Sequence, residues 1–182
     1  MVDAVSGYQF YYHSHSPGDW DALMEHGHLH VFARTDVHAK AIESDTETDF
    51  LSQLNGEEPA EARTINLLCV ALDAKGLPKR LFTVNRWVTG DHLASAAATR
   101  RLVVGFHVRS ERYRLITNWL QALLHLLQPQ VEQLLIERDR RLLELACDRI
   151  ASGLLEDESV EILSSIDIDI DRQIQWLLKT AR

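Results

Sequence analysis

Five histidines fall between residues 13 and 30 of a 182-residue chain that holds nine in all. They come as His13-Ser14-His15 and as His26-Gly27-His28-Leu29-His30. Side chains two apart on a β-strand point to the same face, so each run, if extended, is a row of imidazoles on one side. Neutral imidazole is the commonest protein ligand for divalent transition metals and titrates near neutral pH. These five residues are therefore candidate metal ligands, with zinc or a similar ion as the implied cofactor. Glu25 and Asp19 lie beside them in sequence, and either carboxylate can complete a coordination sphere or act as general base.

Three readings of the histidines stay open at this level: a bound metal, a metal-free polar or catalytic pocket, and a structural hydrogen-bond network. Known His-x-His signatures do not choose among them. The cupin pattern wants a Glu a few residues after the pair, and Val31-Phe32-Ala33-Arg34 supplies none. His13–Asp19 superficially resembles the opening of amidohydrolase-type barrels, but those need far more chain and repeated βαβ units. His38, His92, His107 and His125 are scattered and receive no role.

A second candidate is Asn85-Arg86-Trp87, followed by Val88-Thr89-Gly90-Asp91. Arg86 offers a planar fork for an anionic substrate, Asn85 an adaptable amide and Trp87 a flat apolar wall. The bland alternative is a buried Trp whose neighbouring Arg pairs with an acid. Catalytic candidates are thus Glu25 and Arg86, and ligand-binding candidates Asn85, Arg86 and Trp87. Whether the chain is an enzyme stays open. Cys69 and Cys147 sit in an apolar strand and on a helix, and neither reads as an activated thiol.

The elements that must position these residues follow from periodicity. Tyr8–His15 and His26–Arg34 read as strands, and Pro17-Gly18-Asp19 between them as a turn, which makes the two candidate neighbours. Asp36–Glu61 is acidic and aperiodic, with Asn55-Gly56 and Pro59, and reads mostly as an exposed loop with a short helix near Asp49–Leu54. Thr64–Leu72 and Leu81–Val88 form the clearest hairpin, joined through Asp73-Ala74-Lys75-Gly76. After Gly90 the pattern turns helical: a short helix capped by Asp91 or Ser95, then Glu111–Gln128, then Gln130–Ile150 opened by Pro129 and stopped near Gly153. Ser165–Asp171 alternates like a strand, yet Ile166, Ile170, Ile174 and Leu177 also fit a terminal helix capped by Asp167 or Asp169, which is the reading preferred. The expected architecture is α+β in one domain over residues 1–182, mainly β over 1–90 and mainly α over 91–182.

The net charge of -8 divides into -9 over residues 1–63, +5 over 64–150 and -4 over 151–182. An acidic total argues against nucleic acid as partner, because that affinity is largely phosphate neutralisation. No run is apolar and long enough to cross a membrane, and the N-terminus lacks a secretory pattern. Two cysteines without a framework fit a reducing cytoplasm. The leucine-rich helices make a homodimer the alternative functional reading, a non-catalytic protein associating through those faces.

Taken together, Tyr11-Tyr12-His13-Ser14-His15, Glu25-His26-Gly27-His28-Leu29-His30-Val31-Phe32 and Leu81-Phe82-Thr83-Val84-Asn85-Arg86-Trp87-Val88-Thr89-Gly90 resemble the signature blocks of an uncharacterised bacterial family of unknown function. The resemblance implies a bacterial, cytoplasmic protein in which the histidine strands and the Asn-Arg-Trp segment form one unit. It implies no reaction and no catalytic residues.

Overall fold

The computed structural model describes residues 1–15, 25–54, 62–148 and 153–180. Five strands form one antiparallel sheet in the order β1-β2-β3-β4-β5. They are β1 (Tyr8–Ser14), β2 (Gly27–Arg34), β3 (Thr64–Leu72), β4 (Pro78–Val84) and β5 (Ile162–Asp167). The helices are α1 (Thr35–His38), α2 (Asp45–Gln53), α3 (Arg86–Thr89), α4 (Ala96–Val104), α5 (Arg114–Leu126), α6 (Gln128–Asp148) and α7 (Ile170–Thr180). The fold is α+β, with most of the sheet drawn from the N-terminal half.

One face of the sheet builds the main core. Leu29, Val31, Leu68, Val70 and Leu81 pack there against Leu102, Leu120, Leu124, Leu134 and Leu135 of α4, α5 and α6. A bulge in the β2–β3 ladder at Val31/Phe32 leaves Leu67 as an extra residue, and both Leu67 and Leu68 are consequently in this core. The opposite face carries a smaller apolar patch of Cys69, Ala71, Phe82 and Val84, with Val88 of α3 against it. Both faces of β3 are covered, which is why its sequence is apolar at nearly every position.

The expected neighbours β1 and β2 do pair, and the hairpin of β3 and β4 forms with Asp73 Oδ1 accepting from the Lys75 and Leu77 amides in its turn. Pro17-Gly18-Asp19, Asn55-Gly56 and Pro59 lie outside the described residues. Four expectations need correction. The segment read as an acidic loop is substantially helical: α1 leads through a 3₁₀ turn at Ala39–Ala41 to α2. Ser44 caps α2 by accepting from the Glu47 amide, and Phe50 and Leu54 are buried, so a weak periodic signal is rescued by a cap and tertiary packing. Second, β4 ends at Val84, because Asn85 caps α3 through the Arg86 amide. Third, the segment from Glu111 becomes helical only at Arg114, and Leu115, Ile116 and Trp119 of α5 are exposed; its buried stripe is Leu120, Leu123 and Leu124. Fourth, Ser165–Asp167 is strand, paired with Arg80–Phe82, and only then does α7 begin, with Asp169 accepting from the Arg172 amide. Ser95, rather than Asp91, caps α4. Among the described residues no helix is long and apolar enough to cross a membrane.

Candidate metal centre

The antiparallel register of β1 on β2 sets His13 directly opposite His28 and Tyr11 opposite His30. The two histidine rows therefore share a face, the one opposite the main core. The ladder continues across the sheet as His13–His28–Ala71–Arg80 and, one row on, as Tyr11–His30–Cys69–Phe82. Gly27 makes the strand entry possible. A Cβ there would run into the His13 carbonyl oxygen and the Tyr12 ring, so no larger residue fits at the point where β2 joins the edge strand.

Four of the five histidines converge. His28 Nε2 lies 2.8 Å from His30 Nε2, and His28 Nδ1 lies 3.0 Å from His15 Nε2. The His13 ring centroid is 5.2 Å from those of both His15 and His28. Glu25 joins them, its Oε1 3.2 Å from His28 Nδ1 and 3.8 Å from His15 Nε2. Arg80 Nη2 donates to the other carboxylate oxygen, Oε2. His26 does not join. It precedes β2, and its ring stacks on Tyr12 instead, with Nδ1 2.7 Å from the Tyr12 hydroxyl. Asp19 lies outside the described residues.

Burial grades the cluster: His30 and His28 are 2% and 7% exposed, His15 is half-buried and His13 is exposed. Burial lowers the His30 pKa to about 4, helped by the positive charge that His28, His13 and His15 acquire on protonation. His30 is therefore neutral, with a lone pair available, across the physiological range. Burial works against the Glu25 carboxylate, but hydrogen bonds from His28 and Arg80 and the Arg80 charge outweigh it and hold its pKa below the ordinary value. The Cys69 thiol lies 3.3 Å from His30 Nδ1; burial, then the Glu25 charge, raises its pKa, so it stays protonated.

A carboxylate only accepts, and that fixes a consistent proton assignment. His28 Nδ1–H donates to Glu25, one N–H is shared between the facing Nε2 atoms of His28 and His30, and the Cys69 thiol pairs with His30 Nδ1. One proton thus lies between the two Nε2 atoms. With a cation in place of that proton, His28 Nδ1–H donates to Glu25 and His30 Nδ1–H donates to the Cys69 sulfur, the arrangement that orients metal-bound imidazoles in general. Among the described residues, two groups have ligand atoms all within 4.8 Å of one another: His13 with His28 and His30, and His15 with Glu25 and His28.

The Asn85-Arg86-Trp87 segment takes part in a different task. Asn85 is fully buried, accepts from the Arg86 amide and donates to the Leu154 carbonyl. Arg86 Nε donates to Glu156 at 2.6 Å, and Trp87 Nε1 donates to the Val160 carbonyl. These contacts hold the segment before β5 in place, so the Arg86 pairing matches the bland alternative. The arginine at the histidines is Arg80, which sequence reasoning passed over. Its signal was the hairpin register, which places it two strands from His28 across the small side chain of Ala71.

A family profile described as a domain of unknown function, DUF6969, matches residues 1–168. The chain belongs to this DUF6969 family. The matched region includes the histidine strands, Arg80 and all of the sheet, and ends before α7. No curated protein and no solved structure matches.

Proposed function

We propose that this DUF6969 protein binds a divalent transition metal, zinc before others, on the histidine face of its sheet. The observation that carries the reading is the convergence of four imidazoles and one carboxylate around His28, with both nitrogens of His28 in contact with other ligand-type atoms. Zinc–nitrogen bonds of about 2.0–2.1 Å in tetrahedral geometry place ligand atoms roughly 3.3 Å apart, and the contacts around His28 run from 2.8 to 3.2 Å. A small opening of the cluster therefore admits an ion. Three protein ligands leave room for water or a small polar molecule, which is how a metal site gains chemistry beyond structure. A cytoplasmic location belongs to this proposal and is supported by two free cysteines, Cys69 and Cys147.

Elemental analysis of protein purified without a metal-affinity column tests the reading. At least one equivalent of zinc, nickel, iron or copper per chain is expected, lost on His28→Ala. Absence of metal, together with a melting temperature unmoved by added zinc, nickel or iron, overturns it.

Self-association is a second reading, favoured by the apolar side chains left exposed on α5 and α7: Leu115, Ile116 and Trp119 on the first, and Ile174, Trp176 and Leu178 on the second. It concerns a different part of the molecule and is compatible with a metal on the sheet.

A further inference from the structure

His28 belongs to both ligand groups of the cluster and has two ring nitrogens to offer. His28 presents Nε2 to His30 at 2.8 Å and Nδ1 to His15 at 3.0 Å, and those nitrogens leave the imidazole ring in different directions. The Nδ1 side alone already has the dimensions of a metal site. His15 Nε2, Glu25 Oε1 and His28 Nδ1 are separated by 3.0, 3.2 and 3.8 Å, which brackets the roughly 3.3 Å spacing of ligands around tetrahedral zinc. Arg80 occupies the far oxygen of Glu25 and so leaves Oε1 as the oxygen facing that space. On the other side, His28 Nε2 faces His30, His13 forms a ligand group with these two residues, and Cys69 steadies the outer nitrogen of His30.

We propose that the cluster holds two divalent metal ions at once, bridged by the His28 ring, with His13 and His30 on its Nε2 side and His15 and Glu25 on its Nδ1 side. The inference rests on the metal-binding reading above and extends it from one ion to two. Coordination on both nitrogens sends the ring proton of His28 to solvent, so His28 bridges as imidazolate. An imidazole ring between the ions keeps them farther apart than the roughly 3.5–4 Å of two-metal hydrolytic sites that share a bridging oxygen. The two positions are also unequal. The Nε2 ion sits beside the most buried residue of the group, His30, whereas the Nδ1 ion sits with half-buried His15 and Glu25. Two divalent ions exceed the negative charge of one carboxylate and one imidazolate, and Arg80 adds another positive group. The open coordination positions are therefore suited to an anionic oxygen ligand, hydroxide being the simplest.

The test uses the full chain, stripped with chelator and titrated with zinc and with copper(II). Two equivalents per chain are expected, with magnetic coupling between the copper ions seen as loss of their isolated electron-paramagnetic-resonance signal. The double variant His15→Ala/Glu25→Gln, substituted only at half-buried positions, should bind one equivalent and restore the isolated signal. His30→Ala should likewise drop from two to one. A wild-type stoichiometry of one overturns the bridged pair and leaves the single-metal reading intact. A stoichiometry of zero overturns both. Two equivalents retained by the double variant place the second ion elsewhere and also overturn the proposal.

Discussion

At the scale of single residues, His30 is the side chain whose environment departs furthest from water. Its pKa of about 4 lies below the ordinary 6.5. Between those values the unfolded chain binds a proton that the folded chain refuses, so stability of the metal-free protein rises with pH through this window. His30 contributes its full share above pH 6.5 and loses it as the pH falls toward 4, by up to about 3 kcal/mol. Urea unfolding of stripped protein at pH 4.5 and 7 should show this fall, and His30→Gln should flatten it. An equal pH dependence in the variant would mean that His30 is not the buried neutral group described. The sequence showed the histidines through spacing alone, since period two is a local property. It did not show Arg80 or the thiol of Cys69, because both reach the cluster only through strand pairing, one from β4 and one from β3. His26 was misplaced for a related reason: same-face parity holds only inside a strand, and β2 begins one residue later.

At the scale of elements, the acidic segment before β3 is tied to the helices by a buried carboxylate. Glu47 of α2 is 2% exposed and accepts from both the amide and the hydroxyl of Ser95, the cap of α4. Asp139 of α6 accepts from the next amide, Ala96, and Arg138 holds Asp139 and the Ala94 carbonyl. The N-terminus of α4 thus receives carboxylates from two other helices, as its dipole favours. Glu47→Ala strands the Ser95 donors in a buried setting and should destabilise the protein by about 1–3 kcal/mol in urea unfolding. A change below about half a kcal/mol would show that α2 is not held by this contact. This attachment was illegible in the sequence, where Glu47 is one acid among many. The register of Ser165–Asp167 was legible only as an ambiguity, because alternate isoleucines serve both periods until β4 supplies the pairing partner.

At the scale of the molecule, the architecture was readable from the change of hydrophobic period near Gly90, and the contribution of β5 from the far end of the chain was not. The charge division is partly internal: Arg80 meets Glu25 and Arg86 meets Glu156, each joining the basic middle to an acidic end. Apolar exposure on α5 and α7 sets the expectation for assembly. Sedimentation should give twice the 20.8 kDa chain mass, and Leu115→Glu with Trp119→Glu should return the single mass. A wild-type mass of one chain at high concentration would contradict self-association.

Whether His28 and its neighbours hold a transition metal can be read optically with cobalt(II). Added to chelator-stripped protein, cobalt should develop strong visible absorption of a four- or five-coordinate ion, saturating at a fixed ratio and absent in folded His28→Ala. A spectrum that stays that of the hydrated ion, or one unchanged by His28→Ala, would mean that His28 holds no metal.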